Sequence, residues 1–261
     1  MGTLELAKCS LLLGAALTLA CGASGASGSA ATELQTPRGG EARGELQPSS
    51  SEIPIDGDDG VWGMANAPVT LVVFTDLECP FCARAHALLI ELERRYGTAR
   101  LRVVVKHVPL AGHAGAVPAA RVAQAVLALG GRERFFQYLD RAFAQQERIA
   151  AGEALALAGE VGQDPRALAE RAGSAAIGRE VLGDVLLADK IAVPATPHFR
   201  INGLALTGVR TLAELSAVID AELARAAELR AQGVAAPDVY ARRVQHNFPL
   251  PEPPAGSTGK R

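Results

Sequence analysis

Between residues 69 and 108 the spacing of apolar positions changes period twice. "VTLVVFT" (69–75) is a continuous β-branched run bounded by turn residues, which predicts a strand buried on both faces. From Pro80 to Tyr96 the period becomes helical. Leu88, Leu89 and Leu92 share one face, and Glu91, Glu93, Arg94 and Arg95 lie largely on the other. Gly97 suits the C-terminal end of that helix. "RLRVVVKHV" (100–108) restores the pattern of a buried strand. Strand, helix and strand at this spacing form a βαβ unit, which implies parallel pairing.

From about Ala114 to Lys190 the pattern is almost wholly helical, with Asp164-Pro165 reading as an N-cap and first helical position and Ser174 as a second cap. Strand character returns at "PHFRING" (197–203) and "LALTG" (204–208), a predicted hairpin around Asn202-Gly203. "TLAEL" then opens the last helix with a capping box, Thr211 to Glu214. At the front, "EIPI" (52–55) reads as a short strand, followed by a turn-rich stretch, "DGDDGVWGMANAP", that ends in Pro68. The polar, Pro-rich segment 231–261 is predicted to be mostly disordered. The expected architecture is α/β over residues 52–230, a mixed sheet flanked by helices, with an all-helical insertion at about 113–190.

Composition adds a bound. With 49% hydrophobic residues the chain can bury a substantial core, and a net charge of -2 with no basic stripe argues against nucleic acid as a partner. Before residue 52 the character differs. "LLLGAALTLA" (11–20) follows Lys8, is too short to span a bilayer comfortably, and reads as a secretory signal over residues 1–21. "LTLAC" fits a lipoprotein signal in which Cys21 is lipidated; Ala20 and Leu17 suit that pattern and Thr18 departs from it. Cleavage after a small residue between Ala20 and Ala31 is the alternative. Residues 22–51, rich in Gly, Ser, Ala and Pro, are predicted to be a flexible linker. The chain therefore reads as exported, periplasmic or cell-envelope, with membrane contact only through a lipid anchor.

Export gives weight to the cysteines, because disulfides persist outside the cytosol. Cys9 and Cys21 fall in the leader, and Cys79 and Cys82 form the remaining pair, in "DLECPFC" (76–82). Cys79 is expected at a strand's end and a helix's mouth, with Pro80 in the first turn where its missing N–H costs nothing. The helix end favours a Cys79 thiolate, and Cys82, one turn on, should be the more buried, resolving partner. An exposed activated thiol with a second thiol behind it is what disulfide exchange requires. Three other readings stand beside this one. A zinc site would need further ligands, for which His86 is the one nearby candidate. A structural disulfide would close too small a loop to stabilise much. The pair could also be an inert remnant.

"NAPVTLVVFTDLECPFC" resembles the signature of exported thioredoxin-fold proteins of the DsbA/DsbG type. "ATPHFRING" (195–203) is similar to that family's cis-proline segment, and "VKHVPLAGH" (105–113) to the segment leading into its helical insertion. The resemblance runs from about residue 53 to about 230. It implies a thioredoxin fold, Cys79 as nucleophile, Cys82 as resolving thiol, and a cis Pro197 packed against the pair. Thr196 would offer its backbone to an extended substrate chain. Three positions depart from the pattern: Ala195, His198 and Arg200. The last two share a strand face, expected to be partly wet, and His198 is expected to be a half-exposed strand histidine rather than a neighbour of the dithiol.

Phe81 brings no charge between the cysteines, and Asp76 and Glu78 would oppose a thiolate, so an extreme oxidant is not expected. Residues 22–51 cannot form the dimerisation domain that isomerases of this type carry, which leaves a monomeric oxidase or reductase. The implied partners are exported proteins with cysteines and a redox partner that resets the dithiol. No metal is expected, and no cofactor beyond the disulfide itself. A non-catalytic thioredoxin-fold module that binds extended peptides or a metal is the alternative.

Overall fold

The computed structural model describes residues 53–248. The signal, Cys21, the linker 22–51 and residues 249–261 lie outside the described residues. Five strands form one mixed sheet: β1 (Gly60–Trp62), β2 (Val69–Thr75), β3 (Leu101–His107), β4 (His198–Ile201) and β5 (Leu204–Thr207), in the order β1-β3-β2-β4-β5. β2 and β3 are parallel, Val73 opposite Val105 and Thr75 opposite His107, and α1 (Pro80–Tyr96) makes the crossover. β1 runs antiparallel to β3, β4 to β2 and β5 to β4.

Alternation along the strands divides the core in two. Leu71, Val73, Val103, Val105, Phe199 and Ile201 pack with α1, α2 (Ala116–Ala144) and α7 (Leu212–Ala231). On the other face Val72, Phe74 and Val104 pack with Ile53, Val61 and Ala188. Between β3 and β4 the chain runs through α2, which breaks at Gly131, then α3 (Gln146–Ala150), α4 (Ala154–Gly159), α5 (Pro165–Gly173) and α6 (Ala175–Lys190). This is the helical insertion expected from the sequence. The predicted caps at Asp164 and Ser174 both accept from backbone N–H groups, and the Thr211–Glu214 capping box is present. In the β4–β5 turn Asn202 (φ 44°) and Gly203 (φ 93°) are both left-handed, the conformation the Asn-Gly pair favours.

Three expectations are corrected. Residues 53–55 of "EIPI" form no strand, and the first strand among the described residues is "GVW", inside the turn-rich stretch. Residues 231–248 are not disordered: a short 3-10 turn (Ala236–Asp238) leads into α8 (Val239–Asn247), which buries Val239, Tyr240 and Val244. β4 is dry on both faces. His198 is buried, its Nδ1 2.8 Å from Thr207 Oγ1 and its ring tilted against Phe74, and Arg200 donates to the Ile191 carbonyl and lies over the Phe248 ring. Both lie on the sheet face opposite the one that packs on Cys82.

α6 is tied to the sheet by a buried triad. Lys106 Nζ lies 2.6 Å from Asp59 Oδ1 and 3.2 Å from Asp184 Oδ1, and the His107 N–H donates to Asp184 Oδ2. Burial lifts the Asp184 carboxyl from 3.8 to about 7 against the pull of Lys106, and burial raises Asp59 in the same direction. Between about pH 4 and about pH 7 the native chain thus holds a proton on Asp184 that the unfolded chain has released. This contribution to stability is full at the acid end and is lost as pH rises through about 7. Asp184→Asn, which keeps an acceptor for the His107 N–H, should flatten that decline. Melting temperatures of both chains from roughly pH 4 to 8 check it.

Candidate active site

The sheet and α1 set the geometry of the cysteines. β2 ends at Thr75, and Cys79, three residues past Asp76, is the N-cap of α1 in extended conformation (φ -74°, ψ 120°), with Pro80 opening the helix. Cys82 follows within the first turn, its N–H donating to the Cys79 carbonyl at 2.9 Å. Both cysteines are free thiols. Their relative burial is as expected, Cys82 at 1% and Cys79 at 4% exposure, but Cys79 is not the open thiol anticipated. Phe81, 50% exposed with the Arg84 guanidinium over its ring at 4.7 Å, is the surface feature beside it.

Facing the pair is the loop before β4. The Thr196–Pro197 peptide is cis, as the resemblance implied, and Cys79 Sγ lies 3.9 Å from the Thr196 carbonyl oxygen. Burial pushes the Cys82 thiol up to about 12, partly offset by the Thr75 hydroxyl, the Asp76 N–H and the Thr196 hydroxyl beside it. The Asp76 N–H points at Cys82 Sγ from 3.4 Å. Cys82 is thus held as a neutral thiol until something takes its proton.

Asp76 and Glu78, expected to modulate the thiols by charge, have their carboxylates engaged elsewhere. Asp76 is buried and accepts from the Glu78 N–H (2.7 Å), the Leu110 N–H (2.8 Å) and His113 Nδ1 (2.8 Å). Glu78 accepts from the Gly115 N–H at 2.7 Å. Gly115 is required there, since a Cβ would sit 2.1 Å from the Ile149 carbonyl oxygen. Together the two carboxylates clamp the 108–115 segment to the loop that carries Cys79. A third clamp comes from the insertion: Gln146 Nε2 donates to the carbonyls of both Leu77 and Cys79, at 2.9 Å each. Sequence reading missed Gln146 and His113, because neither shows a local signal and both act across long stretches of chain. His86, the metal candidate, pairs instead with Asp140, its Nε2 2.7 Å from Asp140 Oδ1. Among the described residues no group of three or more His, Cys, Asp or Glu could hold a metal ion.

A dithiol at the mouth of a helix, faced by a cis-proline loop on a sheet with one parallel and three antiparallel pairings, defines a thioredoxin-fold protein. A thioredoxin family model matches residues 56–221, and the chain belongs to that family. Its fold is shared by a thioredoxin-like oxidoreductase from Silicibacter pomeroyi (26% identity, TM-score 0.57, 69% of this chain and 95% of that one). Wolbachia pipientis alpha-DsbA1 matches at 20% identity and TM-score 0.59, over 67% of this chain and 94% of that one. BdbD from Bacillus subtilis matches at 23% and 0.59, over 67% and 97%. The DsbA-like resemblance therefore holds in the fold as well as in the motif. In sequence, the Na(+)/H(+) antiporter NhaA 3 of Salinispora tropica is 34% identical over 192 residues, 71% of this chain but 28% of the antiporter. The chain spans under a third of the length of such curated relatives. Among the described residues no helix is long and apolar enough to cross a membrane.

Proposed function

We propose that the protein is an exported thiol:disulfide oxidoreductase in which Cys79 is the nucleophile and Cys82 the resolving thiol. The observation that carries this reading is the placement of Cys79 Sγ, at the N-cap of α1 and 3.9 Å from the Thr196 carbonyl. An extended substrate strand pairing with the backbone at Thr196 would bring its sulfur to Cys79, and Cys82 waits one turn behind to release the mixed disulfide. Its clients are exported proteins with cysteines, and a separate redox partner resets the pair. The protein acts as a monomer. Export is supported by the apolar run after Lys8 and by the likeness in fold to a periplasmic thioredoxin-like protein of Salmonella enterica serovar Typhimurium (22% identity, TM-score 0.55, 65% of this chain and 92% of that one). Lipidation of Cys21 completes the proposal, and mass spectrometry of the mature N-terminus tests it.

The equilibrium potential of the Cys79–Cys82 pair against glutathione tests the reading and assigns its direction. The expected value lies below the roughly -120 mV of the strongest oxidants, since Phe81 adds no charge between the cysteines. A potential near ~-150 mV marks a donor of disulfides, and one near ~-230 mV or lower marks a reductase. A chain with no reversible dithiol couple would overturn the proposal.

A further inference from the structure

In the exchange reaction, on which this inference rests, Cys82 attacks as a thiolate and leaves as one. Its thiol is neutral and buried, so a proton has to travel to and from a site with no bulk water. The surroundings of Cys82 offer a route for it. Beneath the thiol lies a cavity of about 10 Å³, lined by Val73, Thr75, Cys82, His86, Val105 and Phe143 among others. That is about the room one water takes. Its polar borders are the Thr75 hydroxyl, the Cys82 thiol and the His86 imidazole.

His86 stands four residues after Cys82 on α1, which puts both side chains on one helix face. The ring is 9% exposed and stacked on Phe143, centroids 4.7 Å apart at 29°. Its Nε2 lies 2.7 Å from Asp140 Oδ1 on α2. A carboxylate accepts only, so Nε2 carries the hydrogen, and it is Nδ1 that has a lone pair to offer when the ring is neutral. The Asp140 side chain is 55% exposed, which connects the far side of the ring to solvent. The other titratable group nearby is Glu93, further along α1, whose carboxyl is raised to about 7 by burial and by the Asp140 charge.

We propose that His86, oriented by Asp140, is the group through which Cys82 loses and regains its proton, across the cavity that both side chains line. In resolution of a mixed disulfide, the Cys82 proton passes to His86 Nδ1 through one water in that cavity. The Cys82 sulfur then attacks Cys79 Sγ: the Cys79–Cys82 bond forms, the bond from Cys79 to the substrate sulfur breaks, and the electron pair leaves on that sulfur. The imidazolium is balanced by Asp140 and releases its proton to solvent. In the opposite direction a substrate thiolate opens the Cys79–Cys82 disulfide and the imidazolium reprotonates Cys82. The device thus serves oxidase and reductase alike, and Asp140 is its positioning residue.

The test follows the two thionitrobenzoate anions released when the reduced chain, with Cys9 and Cys21 replaced by serine so that Cys79 and Cys82 are its only thiols, meets dithiobis(nitrobenzoate). The first reports attack by Cys79 and the second reports resolution by Cys82. In His86→Leu the second phase should slow by at least tenfold near pH 7, within the range general-base groups supply, while the first changes by less than about twofold. The logarithm of the second rate should also climb with pH at close to unit slope, as for attack that awaits specific base. Asp140→Asn, a surface change that spares the core, should slow the second phase about threefold or more in the same direction. Equal slowing of both phases, or an unchanged second phase in both variants, overturns the role of His86. Absence of a second phase in the unmodified chain would instead overturn the exchange reaction itself.

Discussion

Cys79→Ser should abolish thiol-disulfide exchange, lowering the rate of insulin reduction by on the order of a thousandfold or more, to background. A serine hydroxyl at the α1 N-cap has the right place and the wrong chemistry, since it offers neither an accessible anion nor a sulfur that can hold a mixed disulfide. Cys82→Ser should fail differently. Cys79 keeps its position beside the Thr196 carbonyl and still attacks, but nothing behind it releases the product, so substrate stays covalently bound. Mass spectrometry of the two variants after incubation with an oxidised client separates the roles: an adduct with Cys82→Ser, none with Cys79→Ser. Serine also keeps the size of the side chain, and neither change leaves a large cavity, so loss of activity without loss of fold is the expected pattern. If Cys79→Ser turns over at the unmodified rate, the dithiol is not the catalyst. If neither form turns over, the protein is instead a peptide-binding module that uses the same cis-proline loop.

The fold was legible where local pattern and tertiary environment agree. β2, α1 and β3 announce themselves because a doubly buried strand must be continuously apolar and an amphipathic helix must repeat at its own period. The hairpin and the helix caps at Asp164, Ser174 and Thr211 were legible for the same reason, as each is decided within four residues. "GVW" was not, because its first residue looks like a turn residue. That strand position takes a glycine because a Cβ there would meet the Phe135 ring at 2.0 Å, a constraint imposed from α2 and invisible in the neighbouring sequence. The burial of His198 and Arg200 likewise depends on Phe74, Ile191 and Phe248, none of them close by in the strand. In the site, the cysteines and Pro197 were legible, and the anchoring role of the two carboxylates was not. Asp76 and Glu78 sit next to the cysteines in sequence, which suggested a field acting on the thiols. Their hydrogen bonds to Leu110, His113 and Gly115 also make them anchors, a role set by residues more than 30 positions away.

Arg243→Ala should be the most destabilising single change in the C-terminal region, although the residue lies in a segment whose composition reads as disordered. Glu222 on α7 is 2% exposed, and its carboxylate accepts from Arg243 Nε and Nη2 at 2.8 and 2.7 Å and from Asn202 and Asn247 at 3.2 Å each. Asn202 is itself the residue that accepts from the Thr70 N–H of β2 and donates to the Pro68 carbonyl. One buried carboxylate therefore joins α8, α7, the β4–β5 turn and the start of β2. Removing the guanidinium leaves that charge buried with two amides for company, a loss of about 3–5 kcal/mol for pairs of this kind. For a domain of this size that is a fall of roughly 6–20 °C in melting temperature. Arg225→Ala, which breaks an exposed pair with Glu228 on the same α7, should leave the melting temperature nearly unchanged. Adding Glu222→Gln to Arg243→Ala should recover part of the loss, because a neutral amide is far cheaper to leave buried than a carboxylate. Full recovery without the arginine would assign the cost to the stranded charge; no recovery would assign it to the lost packing of the Arg243 stem against α7.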